Sequence, residues 1–140
     1  GRVDEVEQNV FKVSSRINST WGGNLTDMVR SRRILEVIEA DDLMGRARTE
    51  GEHLLERLED VQSRHGIVTN ARGLGLMCAI SLPDTATRDE AIRRLQSDEK
   101  VLMLGCGKRS LRVRPPLTVE RDALDRAVDA IDRVLTAMEA

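Results

Sequence analysis

The sequence predicts an α+β domain in which a small, mostly antiparallel sheet is covered by helices. Two observations support this class. Apolar residues recur at three- and four-residue spacing in four segments, and short β-prone runs lie between them. The connections are short, and the order is two helices, two strands, a helix, two strands and a helix. A chain of 140 residues has room for one such domain but not for two complete ones.

The first helix is predicted from residue 25 to about residue 40. Asn24 is a good N-cap, and Asp27 can return the hydrogen bond in a variant of the capping box. The apolar residues of this segment are expected to form its buried face: Leu25, Met28, Val29, Ile34, Leu35 and Ile38.

A second helix is predicted from the Asp41-Asp42 break to about residue 65. Gly51 lies on its apolar stripe, where the missing side chain predicts the close approach of another helix. Gly66 is expected to end the helix as a left-handed residue. The remaining members of the stripe follow helical spacing: Met44, Ala47, Leu54, Leu58 and Val61.

Two strand pairs follow the second helix. The first pair is predicted at 67–71 and 74–82, separated by Arg72-Gly73, and the second at 101–104 and 111–113, joined by a glycine-rich turn. A helix is expected between the pairs. Thr118 is expected to cap the last helix, whose apolar stripe is the most regular in the chain.

The composition predicts a soluble, cytoplasmic, globular protein. Apolar residues make up 40% and charged residues 33%, and the net charge of -2 argues against nucleic acid as the main partner. No apolar run approaches the roughly 18 residues of a membrane span, and the first residues do not resemble a signal peptide. Cys78 and Cys106 are too few for a disulfide framework and are predicted as small core residues.

Several chemistries are excluded by spacing. His53 and His65 have no Cys or acidic partner at ligand spacing, so no metal site is predicted. The glycine-rich turn before Arg109 lacks the Ser or Thr of a phosphate-binding P-loop. Residues 73–78 lack the third glycine of a dinucleotide fingerprint and continue into a strand.

One candidate site is the segment from Ser19 to Asn24. Its hydroxyls and two glycines precede a helix N-terminus, where a hydroxyl donor, close backbone approach and the helix dipole all favour a phosphate. An ordinary loop before a cap has the same pattern, so both interpretations stay open on the residues alone.

A second candidate site contains Arg112 and Arg114. In a strand these two arginines lie on one face while Leu111 and Val113 lie on the other. A guanidinium held on a rigid strand suits bidentate binding of a carboxylate. A solvent-facing strand with two arginines is the alternative.

Three segments, taken in order, resemble the class III aminotransferases, which are pyridoxal-phosphate enzymes of fold type I. Residues 20–24 are similar to the family's Thr-aromatic-Gly-Gly-Asn segment. Residues 71–77 resemble its Val-Arg-Gly-x-Gly-Leu-Met run, and residues 111–117 its Leu-Arg-x-x-Pro-Pro-Leu segment. Within the family, residues 16–25 resemble the branch that transfers the 6-amino group of L-lysine to 2-oxoglutarate.

The resemblance implies roles for individual residues. Thr20 would donate to the phosphate of pyridoxal 5'-phosphate, in the active site of the other subunit of a homodimer, with Ser19 and Asn18 flanking that phosphate. Arg112 would bind the α-carboxylate of the amino-acid or 2-oxo-acid substrate. Arg114 would have a lesser role, such as a structural ion pair.

The resemblance also implies that the chain is the C-terminal fragment of such an enzyme. The family's Schiff-base lysine would lie upstream of Gly1, because the lysines present do not match its position, so the chain alone is expected to be inactive. Residues 1–40 would end the large cofactor-binding domain and form an interdomain helix, and residues 41–140 would form the small domain. Two alternatives stay open: another ω-aminotransferase, acting on ornithine or 4-aminobutyrate, or a stand-alone, non-catalytic module that binds acids or phosphates.

Overall fold

A computed structural model describes residues 20–140 of the chain. The chain divides into two compact units, Gly1–Ile38 and Glu39–Ala140. The elements occur in the predicted order: α1 (Leu25–Ala40), α2 (Leu43–Arg64), β1 (Thr69–Leu74), β2 (Met77–Ser81), α3 (Thr85–Ser97), β3 (Leu104–Cys106), β4 (Ser110–Val113) and α4 (Arg121–Glu139). Among residues 20–140, no helix combines the length and the apolar character needed to cross a bilayer.

The four strands form one antiparallel sheet in the order β1-β2-β4-β3. The helix α2 packs on β1 and β2, α3 packs on β3 and β4, and α4 packs on both of these helices. Helices therefore cover one side of a small antiparallel sheet, which confirms the predicted α+β class.

One side of the sheet faces a core built almost entirely from aliphatic residues. Cys78, Ile80, Leu111 and Val113 point into this core and are each at most 4% exposed. The alternate residues of the strands lie on the other side of the sheet, which we call the outer face. Its middle row is set by the strand register: Arg72, Ala79, Arg112 and Leu104.

The turn of the first hairpin lies three residues later than predicted. Gly73 stays within β1, and the chain turns at Gly75-Leu76 instead of Arg72-Gly73. Gly75 has φ +53°, a left-handed conformation that glycine adopts without a steric penalty. Gly73 is needed for a different reason, because a Cβ at this position would collide with Cys78.

The other two glycine predictions are also corrected. Gly51 faces the backbone of Gly75 in the hairpin turn, not another helix, so the close approach is between α2 and the sheet. Gly66 is not left-handed, because α2 ends at His65 in extended backbone (φ -116°, ψ 115°). The buried side chain of His65 fixes the end of α2 in place of a glycine.

The capping prediction for Asn24 is confirmed, whereas the predictions for Asp27 and Thr118 are wrong. The side chain of Asn24 accepts a hydrogen bond from the Thr26 amide (2.8 Å), which confirms it as the N-cap of α1. Asp27 instead contacts Arg30 at 3.6 Å. Thr118 does not cap α4, because the chain makes a further turn and the helix begins after Glu120, which forms no side-chain cap.

The apolar face of α1 is not buried as the periodicity predicts. The helix has the expected bounds, but it contains no buried residue. Leu25 is 76% exposed, Val29 70% and Leu35 64%. The pattern therefore identifies which residues of α1 are apolar, but it does not predict their exposure.

Candidate functional site

The first candidate site lies in a turn at residues 20–23, directly before α1. Thr20 is exposed at the start of the turn, and Gly23 has φ +76° with open space where a Cβ would project. Asn24 then caps the helix. Ser19 and Asn18, the predicted neighbours of the phosphate, lie outside the described residues.

This turn has the chemistry that a phosphate monoester needs. The threonine hydroxyl is a donor, the glycine backbone leaves room for an anion, and the N-terminus of a 16-residue helix carries partial positive charge. The residues present therefore fit the phosphate end of a cofactor such as pyridoxal 5'-phosphate.

The second candidate site centres on Arg112 in β4. Its strand neighbours Leu111 and Val113 are 1% and 4% exposed and hold the strand to the core, so the guanidinium lies on the outer face. The Nε atom of Arg112 is buried and has no hydrogen-bond partner within the described residues. An unsatisfied buried donor of a charged group costs more than 1–3 kcal/mol, so this donor suits an anionic ligand from outside the strand.

A cavity of about 410 Å³ opens beside Arg112. Apolar residues Met103 and Leu104 form part of its wall, and Arg114 lies at its edge. Arg114 is exposed just after β4 and makes no ion pair with any acid in residues 20–140, so its suggested structural pairing has no support there. The rest of the wall includes Val113 at the end of β4 and Leu124 in α4, so the cavity is mostly apolar and lies next to the strand that carries Arg112.

A second, larger cavity of about 800 Å³ is more apolar. It lies between the start of α2, the first hairpin turn and the Pro115-Pro116 segment. Met44 and Met77 contribute exposed side chains, and Arg114 borders this cavity as well. The sequence analysis missed this cavity, because its wall comes from three segments that are distant in the chain.

The four strands and the two hairpin turns that join them carry no acidic residue. Residues 66–83 and 100–119 contain neither Asp nor Glu, whereas they include six basic residues: Arg72, Lys100, Lys108, Arg109, Arg112 and Arg114. Every strand lies within these two segments. The resulting positive potential favours anionic ligands at the outer face. The signal is visible in the sequence, but the overall net charge of -2 conceals it.

A buried histidine cluster joins the C-terminal ends of α2 and α4. His65 is 6% exposed, and its ring nitrogens contact Asp132 at 2.7 Å and Glu139 at 2.6 Å. Burial lowers the pKa of His65, but the two carboxylates outweigh this effect and raise it above its usual value. The sequence analysis missed this cluster, because the partners lie far along the chain.

The two cysteines have different environments. Cys78 is buried in β2, as predicted, and burial raises the pKa of its thiol. Cys106 is exposed at the end of β3, so its prediction as a core residue is wrong. Among residues 20–140, no group of three or more His, Cys, Asp or Glu side chains is arranged to hold a metal ion.

The sequence of the chain matches that of a known protein family. The family model described as "Aminotransferase class-III" matches residues 2–135. The chain belongs to the class III aminotransferase family. Its fold is that of part of a fold type I aminotransferase.

Several similar proteins are named as lysine aminotransferases. The chain is 55% identical to the L-lysine-epsilon aminotransferase of Amycolatopsis lactamdurans, over 94% of this chain and 29% of that protein. It is 51% identical to the enzyme of the same name from Streptomyces clavuligerus, over 99% of this chain and 30% of that protein. A solved lysine aminotransferase from M. tuberculosis superposes with a TM-score of 0.84 at 53% identity, over 98% of this chain and 32% of that chain.

The chain thus spans less than a third of the length of these relatives. The family implies dependence on pyridoxal 5'-phosphate and use of amino-acid and 2-oxo-acid substrates. Of the predicted site residues, Thr20 lies in the first compact unit and Arg112 in the second. The structure adds Arg72, which lies in the same row of the outer face as Arg112, with Ala79 of β2 between them.

Proposed function

We propose that this chain is the C-terminal portion of a pyridoxal-phosphate-dependent L-lysine 6-aminotransferase. The complete enzyme would convert L-lysine and 2-oxoglutarate to 2-aminoadipate 6-semialdehyde and L-glutamate. One structural observation carries the proposal: the buried, unpartnered Nε of Arg112 on an acid-free sheet. The similarity to lysine aminotransferases at 51–55% identity supports the choice of substrate.

Arg112 would bind the α-carboxylate of the substrate. In 2-oxoglutarate and glutamate this carboxylate is bonded to the carbon that exchanges the amino group, whereas in L-lysine and the semialdehyde it lies at the opposite end of the molecule. Arg112 would therefore serve the half of the reaction that converts 2-oxoglutarate to glutamate. A planar guanidinium binds a carboxylate through two parallel hydrogen bonds and fixes its orientation as well as its position.

Thr20 would hold the cofactor's phosphate, with Ser19 and Asn18 beside it. The bound cofactor supplies an electron-withdrawing ring that makes the carbon carrying the amino group acidic. Thr20 anchors one end of the cofactor, while Arg112 orients the acid that reacts with it. Such positioning is a large part of catalysis, since a displacement of about 1 Å can cost ~10²-fold in rate.

The complete enzyme would be a homodimer in which Thr20 serves the active site of the partner subunit. Residues 1–40 would belong to the end of the large domain and an interdomain helix, and residues 41–140 to the small domain. The catalytic lysine would lie in the part of the enzyme outside this chain. The exposed free Cys106 is typical of a protein from a reducing compartment, which favours the cytoplasm.

A substrate panel on the complete protein tests the proposal. The coding frame that includes this chain is expressed in full, and L-lysine, L-ornithine and 4-aminobutyrate are each assayed with 2-oxoglutarate. We expect the highest kcat/KM for lysine and transfer of its 6-amino group, seen in the product by mass spectrometry. A higher kcat/KM for ornithine or 4-aminobutyrate would identify another ω-aminotransferase. Binding of acids without any transfer would favour a non-catalytic module.

A further inference from the structure

The side chain of Arg72 spans three strands of the sheet. It starts from β1, opposite Ala79 of β2, and its Nη1 donates to the Asn70 carbonyl (2.8 Å) and the Ser81 hydroxyl (3.2 Å). Its Nη2 donates to the Ser110 hydroxyl of β4 at 3.0 Å. One guanidinium therefore ties β1 to β2 and, across β2, to β4.

The acceptors of this guanidinium are buried. Ser81 is 3% exposed and Ser110 is 8% exposed, and their hydroxyl oxygens lie 3.2 Å apart. Hydrogen bonds from a charged donor are stronger than those between neutral groups, particularly away from water. Arg72 forms no ion pair with an acid in residues 20–140, so its hydrogen bonds to neutral groups are what hold it there.

The strand that Arg72 holds is also the strand that presents Arg112. Ser110 precedes Arg112 by two residues, so both side chains lie on the outer face of β4. The strand β4 has four residues, and its neighbour on the far side, β3, has three exposed ones. The short edge strand gives little support. The buried side chains Leu111 and Val113 hold β4 to the core from the inner side, and Arg72 is the side chain that ties β4 to β1 across the outer face.

Ala79 lies between the two arginines in the middle row. Its small side chain lets Arg72 reach diagonally over β2 toward Ser110, away from the guanidinium of Arg112. Repulsion between the like charges is thereby reduced, and the donors of Arg112 are left available. A larger residue at this position would block the path of Arg72.

We propose that Arg72 is a positioning residue for Arg112, which fixes β4 through Ser110 and so sets the orientation of the guanidinium that binds the substrate's α-carboxylate. The inference rests on the proposed role of Arg112. Arg72 itself does not touch the substrate. Its contribution is to reduce the motion of β4, so that less orientational freedom is lost when the acid binds.

The main test uses Arg72→Met in the complete, cofactor-loaded enzyme. Methionine keeps much of the apolar stem and removes all of the hydrogen bonds. We expect KM for 2-oxoglutarate, and Ki for the unreactive acid glutarate, to rise about tenfold, the effect of one charged hydrogen bond. We expect kcat to change less. A variant that merely unfolds in part would lower the active fraction and kcat, without raising Ki; that result would overturn the proposal.

Two control variants distinguish the hydrogen bonds that Arg72 makes between strands from the effect of its positive charge. Arg72→Lys keeps the charge but cannot reach both serines with a planar fork, so we expect Ki to stay near that of Arg72→Met. Full recovery with lysine would refute bridging as the mechanism. Arg109→Met removes a basic residue that is exposed in the adjacent turn, and we expect it to leave Ki within about twofold, as a screened surface charge should.

Ser110→Ala provides a second test if Arg72→Met folds poorly. This variant removes the acceptor on β4 and keeps Arg72, and we expect a smaller rise in Ki in the same direction. An unchanged Ki would contradict the proposal. The double variant Arg72→Met/Arg112→Ala should bind glutarate no more weakly than Arg112→Ala alone. If Arg112→Ala by itself leaves Ki for glutarate unchanged, the proposed function is wrong. If Arg112→Ala raises Ki but the Arg72 and Ser110 variants do not, the positioning role of Arg72 is wrong.

Discussion

Two regions of the molecule differ in how their arginines are paired: the seam, where α2 packs against α4, and the outer face of the sheet. Along the seam, Arg57 binds Asp129 at 2.7 Å, Arg64 binds Asp132 at 2.6 Å and Arg121 binds Glu50 at 2.9 Å. On the outer face, Arg72 and Arg112 have no carboxylate partner in the described residues. The seam neutralises its charges within the chain. On the outer face, Arg72 is held by neutral acceptors, and Arg112 keeps a buried donor without a partner in the described residues.

This difference separates arginines that serve the fold from arginines that serve a ligand. Partly exposed ion pairs contribute little to stability individually, but they fix the register of two helices. An unpaired guanidinium with a buried donor costs stability, so a function has to explain it. Substitutions on the outer face should therefore change substrate binding, and substitutions along the seam should change stability.

The largest expected effect is that of Arg112→Ala. In the complete enzyme, kcat/KM for 2-oxoglutarate should fall by roughly two orders of magnitude, about 3 kcal/mol, because a charge-assisted bidentate contact is lost. The unfolding midpoint should not fall, since the variant removes no hydrogen bond of this side chain within the described residues and removes the unpartnered buried donor. Steady-state kinetics and urea unfolding check both parts. Equal kcat/KM for wild type and Arg112→Ala would show that the unpaired arginine of the sheet does not bind the substrate.

The second effect concerns stability, at the buried end of the seam. His65→Gln should lower the free energy of unfolding by about 1–3 kcal/mol, because the imidazolium that bridges Asp132 and Glu139 is lost. His53→Gln is the matched control, since His53 contacts a single carboxylate, that of Asp125. Urea unfolding compares the variants, with glutarate Ki as the readout that should not move.

The contribution of His65 should also depend on pH, with a defined sign. Its pKa is raised in the folded protein, so the stabilisation is fully present below the ordinary value of about 6.5 and is lost as pH rises through the raised value. The pKa of Asp132 is lowered by His65 and Arg64 despite its burial, so its share is lost as pH falls through the lowered value. The stability difference between wild type and His65→Gln should therefore shrink at alkaline pH. A difference that grows from neutral to alkaline pH would contradict the bridge.

A smaller effect is expected at the cofactor's phosphate. Thr20→Val keeps the shape of the side chain and removes the hydroxyl, so cofactor affinity should fall by about 1–2 kcal/mol. Thr20→Ser restores a donor and should restore most of that affinity. Titration of the apoenzyme with pyridoxal 5'-phosphate, followed by absorbance, measures the difference. Equal affinities for the valine and wild-type enzymes would count against this role.

The smallest effect is predicted for Arg133→Ala. Arg133 binds Glu99 at 2.6 Å, but its side chain is 59% exposed. An exposed pair loses through side-chain ordering and solvent screening most of what it gains by attraction. The unfolding midpoint and glutarate Ki should both remain within experimental error of wild type. A clear loss of stability would show that the exposed fraction of an ion pair does not predict its contribution to stability in these helices.

The sequence predicted local features well where a single segment decides them. The regular stripe of α4 becomes a buried face that includes Leu124, Val128 and Ile131, and Asn24 caps α1 as expected. The same periodicity in α1 predicted a buried face that the structure leaves exposed. Helical spacing encodes which side is apolar, but the surface that covers it belongs to other parts of a protein.

Features that depend on distant residues could not be predicted. Both Gly73 and Gly75 are plausible turn residues in the sequence, and only the pairing of Gly73 with Cys78 in the sheet assigns Gly73 to the strand. The resemblance to a family pointed to Arg112, yet its orphaned donor appears only in the structure. The acceptors of Arg72 likewise depend on the register of three strands, which no local pattern specifies.

The contact between Gly51 and Gly75 limits how this part of the molecule can be redesigned. Backbone meets backbone there, and a single added methyl group on Gly51 would have to push the first hairpin away from α2. Because Arg72 lies on that hairpin, the displacement would weaken its hydrogen bond to Ser110 and change the position of Arg112. Attempts to broaden the range of accepted acids should therefore begin with Met77 and Leu104, which are more than half exposed, and leave the glycine pair intact.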